Sequence, residues 1–183
     1  MTAGHSVGFA WEHVPGMFKD FSIGFGVTLW GVDFKGATYY QKWGDAVSEE
    51  DIIDSAWDLI DGEMVNIDVG RDGSVWATDA EYKIYFRHGV TKINMKGDKW
   101  GDPVGGSAFS VATCTTGTTF VIGTDKFVYW RTGVTDDDFI GSGWHKLDDS
   151  SGFTQISCGG HGYLLGLKGV DGFYRAGVTS SLP

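Results

Sequence analysis

Aromatic rings with charged or amide neighbours a few residues away are the most chemically suggestive feature of this 183-residue sequence. Three groups stand out: Trp30, Asp33, Tyr40, Lys42 and Trp43; then Trp76, Asp79, Arg87 and His88; then Asp125, Trp130 and Arg131, with Arg175 further on. An aromatic face beside a carboxylate, ammonium or guanidinium suits non-covalent recognition of a ligand with both an apolar face and a polar rim. Covalent chemistry has no comparable pattern. The histidines (His5, His13, His88, His145, His161) form no His-Glu-x-x-His pair, and no His/Cys pair has zinc spacing. Gly24-Phe25-Gly26 lacks the third glycine of a dinucleotide loop, and neither a Gly-x-Ser-x-Gly elbow nor a Gly-Lys-Ser/Thr phosphate loop is present. A glycosidase needs two carboxylates about 5 to 10 Å apart, and nothing singles out such a pair among the 24 acidic residues. The expectation is therefore binding without catalysis, metal or cofactor. Asp136-Asp137-Asp138 lacks the ligand spacing and glycine of a calcium loop and reads as a solvated linker.

What positions these groups is an internal repeat. Trp11, Trp57, Trp100 and Trp144 are separated by 46, 43 and 44 residues. Gly89-Val90-Thr91, Gly133-Val134-Thr135 and Gly177-Val178-Thr179 recur every 44, each preceded two residues earlier by an arginine: Arg87, Arg131 or Arg175. A third set is Trp30-Gly31-Val32-Asp33, Trp76-Ala77-Thr78-Asp79, Ile122-Gly123-Thr124-Asp125 and, degraded, Leu165-Gly166-Leu167-Lys168. Three anchors in one register define four copies, at about 11–56, 57–99, 100–143 and 144–183. The second copy splits into short strands near 56–60, 65–69, 74–78 and 83–87, with Val65, Ile67 and Val69 alternating on one face. Four strands every 40 to 45 residues mark a propeller blade. The predicted fold is all-β: a four-bladed β-propeller in one domain. Residues 48–55 read as a loop insertion. The chain ends at Gly177 and begins with Gly8-Phe9-Ala10-Trp11, the missing half of a Gly-to-Trp linker. A strand at 9–14 is thus expected to pair with one at 172–176 and close the ring.

The unit Trp-x-x-aliphatic-x-Gly, followed by Trp-Gly-Val-Asp and Arg-x-Gly-Val-Thr, resembles the tectonin repeat of tachylectin-1-like, fish-egg and fungal lectins. The resemblance covers essentially the whole chain. It departs where Trp-Gly is replaced in copies three and four and where Gly-Val-Thr is missing from copy one. It implies carbohydrate recognition, with microbial or methylated surface sugars as ligands and several repeat-related sites acting together. Because single protein–sugar contacts are weak and wet, repetition would raise avidity. The three residue groups above, with Arg175, are the candidate ligand-binding residues.

Several of these residues also have a purely architectural reading. The tryptophans recurring in every copy suit packing between blades. Trp30 and Trp76 fit packing or recognition equally, the arginines can brace neighbouring blades, and Asp33, Asp79 and Asp125 can be turn-forming carboxylates. Cys114 and Cys158 are too few for a disulfide framework and read as small buried apolar residues, because equivalent positions on adjacent blades usually lie beyond disulfide reach.

Composition agrees with an all-β domain. Glycine makes up 29 residues and aromatics 15% of the chain, which excludes disorder. A net charge of −10 argues against nucleic acid and anionic membranes as partners, and no apolar run could span a bilayer. The expected partners are glycans or glycoconjugates, with a homo-oligomer also compatible. With no basic and apolar leader in residues 1–9, the expected location is cytoplasmic or non-classically secreted. The competing function is a propeller scaffold for protein partners; a hydrolase with a hidden acid pair is third.

Overall fold

The computed structural model describes residues 14–24, 28–42, 56–70, 72–135, 137–159 and 163–177. Sheet 1 contains Phe18–Gly24 (β1), Thr28–Asp33 (β2), Ala37–Lys42 (β3) and Asp58–Glu63 (β4). Sheet 2 contains Asn66–Val69 (β5), Val75–Thr78 (β6), Ile84–His88 (β7) and Lys99–Trp100 (β8). Sheet 3 follows with Ala108–Thr113 (β9), Thr119–Gly123 (β10), Val128–Thr132 (β11) and Gly143–Lys146 (β12). Sheet 4 has Gln155–Cys158 (β13), Leu164–Lys168 (β14) and Asp171–Arg175 (β15). Every sheet is an antiparallel meander with strands in sequence order, and the four sheets follow one another around a common axis as the four blades of a β-propeller; among the described residues, consecutive sheets pack on each other but sheets 4 and 1 do not. Among the described residues there is no helix.

The repeat and the blade are out of step. The strand beginning at each repeat tryptophan is the outermost strand of the preceding sheet: Trp57 leads into β4, while Trp100 and Trp144 lie in β8 and β12. Each repeat therefore spans two blades. The strand expected at 9–14, which would by the same rule complete sheet 4 beside β15, lies mostly outside the described residues. The residue just after it has a repeat-like partner. The Trp57 indole donates to the Pro15 carbonyl at 2.8 Å, as Trp100 donates to Asp61 and Trp144 to Gly105. The insertion at 48–55 also lies outside the described residues.

The core is three layers, one at each junction between consecutive sheets. Trp30 and Val32 of sheet 1 pack on Ile67, Val69 and Val75 of sheet 2. Trp76, Ile84 and Phe86 of sheet 2 pack on Ala108, Val111 and Val121 of sheet 3. Phe120, Ile122 and Val128 of sheet 3 pack on Ile156 and Leu164 of sheet 4. Alternation on each strand produces this: one face supplies the layer ahead and the other the layer behind.

Near the ring axis the inner strands are tied by side chains reaching into the next blade. The Asp20 carboxylate accepts the Ile67 N–H at 2.8 Å and the Asn66 amide at 2.6 Å; the Ser22 hydroxyl accepts the Val69 N–H at 3.1 Å. One blade further on, Asn66 accepts the Val111 N–H and Asp68 the Thr113 N–H, both at 2.6 Å. Inner-strand amides that have no ladder partner on that side are satisfied in this way. Burial raises the Asp68 pKa, and the hydrogen bonds from Thr113, Ser22 and Val69 act against that rise.

At the third junction Ala112 occupies the position of Ser22 and Asp68 and has no oxygen to offer. There Cys114 and Cys158 form a disulfide, with Cα atoms 4.7 Å apart. This corrects the expectation of two unlinked cysteines. The two are not register equivalents: the N–H groups of Gly70, Cys114 and Gly159 make the same turn bond, to Ser74, Thr118 and Tyr163. Cys114 is thus one residue further along its strand than Cys158. That stagger, at the narrow inner ends of β9 and β13, brings the two within bonding range. The bridge closes a loop with a sequence separation of 44, and the chain-entropy model gives it about 4 kcal/mol. Replacing both cysteines by serine should lower the unfolding free energy by up to about that amount. Urea denaturation with and without reductant measures it, and reductant should no longer matter in the variant.

Candidate functional site

The sequence-derived candidates fall into two architectural sets and a few surface positions. The first set is a wedge between blades. Trp30 and Trp76 are 0% and 1% exposed, and Arg87 and Arg131 are 3% and 4%. The Arg87 guanidinium lies 6.0 Å from the Trp30 ring centroid and 5.3 Å from that of Trp100. Arg131 repeats the arrangement at 5.8 Å from Trp76 and 4.9 Å from Trp144. Each arginine is thus held between a tryptophan of the blade behind and the outer-strand tryptophan of its own blade. Its polar atoms are also committed. Arg87 donates to the Lys96 carbonyl at 2.9 Å and pairs with Asp61 at 2.6 Å. Arg131 donates to the carbonyls of Ile140, Gly141 and Val104, and burial lowers its pKa. Tyr40 is buried edge-on against Trp30, and burial followed by the Asp58 charge raises its hydroxyl pKa. All five side chains are buried, although Arg87 lines one cleft between blades and Trp30 another; for the tryptophans and arginines this burial favours the packing reading.

The second set shapes hairpins. Asp33 accepts the N–H groups of Lys35 and Ala37 and lies 3.4 Å from the Tyr39 hydroxyl. Asp79 accepts the Lys83 N–H at 2.8 Å and the Tyr85 hydroxyl at 2.9 Å. Asp125 accepts the Phe127 N–H at 3.2 Å and the Tyr129 hydroxyl at 2.7 Å. The carboxylates are turn-formers, and the recurring tyrosine is the partner that sequence reasoning overlooked. Its signal was present: a tyrosine follows each aspartate by six, six and four residues. Burial, then the bond to Asp79, pushes the Tyr85 pKa up to about 12. The Tyr129 hydroxyl holds the Asp125 carboxyl below its ordinary 3.8.

The remaining candidates lie apart. Trp130 is half-buried with His145 at its edge, 6.0 Å away. Lys42 and Arg175 are exposed at strand ends on sheets 1 and 4. Trp43 lies outside the described residues. His88 is half-buried, and together with Arg87 it lines an open polar cleft.

That cleft, about 300 Å³, opens between sheets 2 and 3 where the linker after β11 overhangs the end of β7. Arg87 and Ser74 form its floor; His88, Asp72, Asp137 and Phe139 stand around it. Phe139 is 60% exposed. Asp138 is spent on the loop itself, accepting the N–H groups of Ile140 and Gly141 at 3.0 Å. The glycines of the repeat make the overhang possible. Gly89 and Gly133 adopt φ of 74° and 73°, and a Cβ on either would strike Asp98 or Ser142 in the returning chain. A related cleft of about 160 Å³ lies between sheets 1 and 2, lined by Thr28, Asp72, Val90, Thr91 and Lys92. It has no exposed aromatic. No group of three metal-ligating side chains occurs among the described residues.

Two outcomes follow. Arg87→Ala should lower the unfolding free energy by about 2–4 kcal/mol, since stacking and charged hydrogen bonds are lost from a buried site; thermal or urea unfolding measures this. Tyr129→Phe should bring the Asp125 carboxyl back toward 3.8 in an NMR titration. With its folded value depressed, Asp125 contributes stability above about pH 3.8 that is lost as pH falls through the lower folded value, and the variant should lose that contribution.

Comparison with known proteins agrees with this architecture. Residues 2–103, more than half the chain, match the family model described as the Tectonin domain. The chain is 33% identical over 76 residues to Tectonin-1 of Physarum polycephalum, covering 41% of this chain and 30% of that protein. Among solved structures, 90% of the chain matches 51% of a chain described as YCF48 bound to D1 peptide, with TM-score 0.58 and 16% identity. Human WBSCR16 matches over 81% of this chain and 44% of its own, with TM-score 0.54 and 16% identity. The chain thus spans about half of these solved chains and under a third of the Physarum protein. From the family-model match and the repeat geometry together, the chain belongs to the tectonin family.

Proposed function

We propose that this protein is a carbohydrate-binding lectin that acts without catalysis, and that the glycan sits in the cleft between sheets 2 and 3. The observation that carries the reading is the exposed Phe139 ring beside His88, Asp72 and Asp137 around one opening. A sugar has an apolar C–H face and a hydroxyl rim. An aromatic platform ringed by acceptors and an imidazole meets both. A volume of about 300 Å³ lies at the small end of ligand pockets, suiting a terminal sugar. The smaller cleft between sheets 1 and 2 has the same place in its blade but no platform. Affinity therefore resides mainly in one cleft per chain, fewer sites than the repeats alone suggest. The Cys114–Cys158 bridge suits a secreted protein better than one in the reducing cytosol.

A glycan array followed by calorimetry tests the proposal. Phe139→Ala and His88→Ala should each weaken sugar binding at least tenfold while leaving the unfolding curve unchanged. Glycan silence together with retained binding to a protein bait would favour the scaffold reading instead.

A further inference from the structure

Among the described residues, sheets 2 and 3 are covered on both faces, whereas sheets 1 and 4 each leave one face bare. The forward-facing pairs of the second strands are Trp30 and Val32, Trp76 and Thr78, and Phe120 and Ile122, and all six are buried at 2% exposure or less. Their counterparts in sheet 4 are Leu165 and Leu167, which are 55% and 41% exposed. With Phe173 and Tyr174 they line an open apolar hollow of about 370 Å³. The backward-facing residues of the inner strands repeat the pattern. Ile67, Val69, Val111 and Ile156 are buried, but Phe21 and Ile23 of β1 are 40% and 65% exposed.

The two bare faces are the two halves of the interface that joins the other sheets. Leucines on the sheet 4 face stand where tryptophan and phenylalanine pack forward. Phe21 and Ile23 stand where the next blade receives them. Gln155 and Ser157, exposed on β13, occupy the positions from which Asn66 and Asp68 accept the amides of the following blade. Among the described residues these faces do not cover each other.

We propose that sheet 4 of one copy docks on sheet 1 of a second copy, and reciprocally, so that two chains share a ring of eight sheets with two identical seams. Continuity with the existing blade interface calls for a tectonin-type first sheet, and the first sheet of a second copy carries that face. A head-to-tail contact that closes after two copies yields a discrete dimer.

Sedimentation equilibrium of the full chain should give twice the 19.9 kDa chain mass, and a mass of one chain would overturn the proposal. Leu165→Asp should weaken self-association at least tenfold with an unchanged circular dichroism spectrum; an undiminished dimer would count against it. A cross-link tests the geometry directly. By register, Gly159 stands where Cys114 does and Ile23 where Cys158 does. The double variant Ile23→Cys/Gly159→Cys should form a covalent dimer on non-reducing gels. A link within one chain, or no link, would overturn the two-copy ring.

Discussion

Each small sheet in this protein is buried only because another sheet lies on it. Three or four strands of two to seven residues cannot form a two-sided core alone, and a lone sheet would expose apolar side chains on both faces. The repeat solves this by making every blade both a lid and a base. Indole rings fill the layer ahead, aliphatic residues of the inner strand meet the layer behind, and an arginine is clamped where the two blades converge. Burial at one junction therefore depends on the register of the next, which is why 44-residue spacing is kept so closely.

The same dependence separates architecture from recognition. Residues that recur in phase are those that the repeat needs for stacking blades. Trp30, Trp76, Arg87 and Arg131 recur for that reason and end up buried. Surface features that could discriminate a ligand, such as Phe139 and Asp137, fall in linkers where copies differ. In a repeat protein of this kind, the search for a binding site belongs among the exceptions to the pattern.

Much of the fold was legible in the sequence because its signals were redundant. Tryptophan spacing, the Gly-Val-Thr motif and the Trp-Gly-Val-Asp strand all pointed to the same period, and the strands of the second copy fall within about two residues of those read from alternation. The offset between repeat and blade was not stated by spacing alone, since a period does not say where a sheet begins. The disulfide was missed for a related reason. Cys114 and Cys158 are 44 apart and read as equivalent positions, but the inner turn of the fourth blade comes one residue later than that spacing places it. The site was the least legible part. Its aromatic platform is a single linker residue in an acidic run, whose meaning comes only from the loop it overhangs.

The central claim is that blades are joined by side chains reaching across to the inner-strand amides of the next blade. Native-state hydrogen exchange of the Ile67, Val69, Val111 and Thr113 amides tests it most directly. The account predicts protection comparable to that of amides paired within the sheets, lost together only when the ring opens. Exchange at these four positions as fast as at exposed turn amides would contradict it.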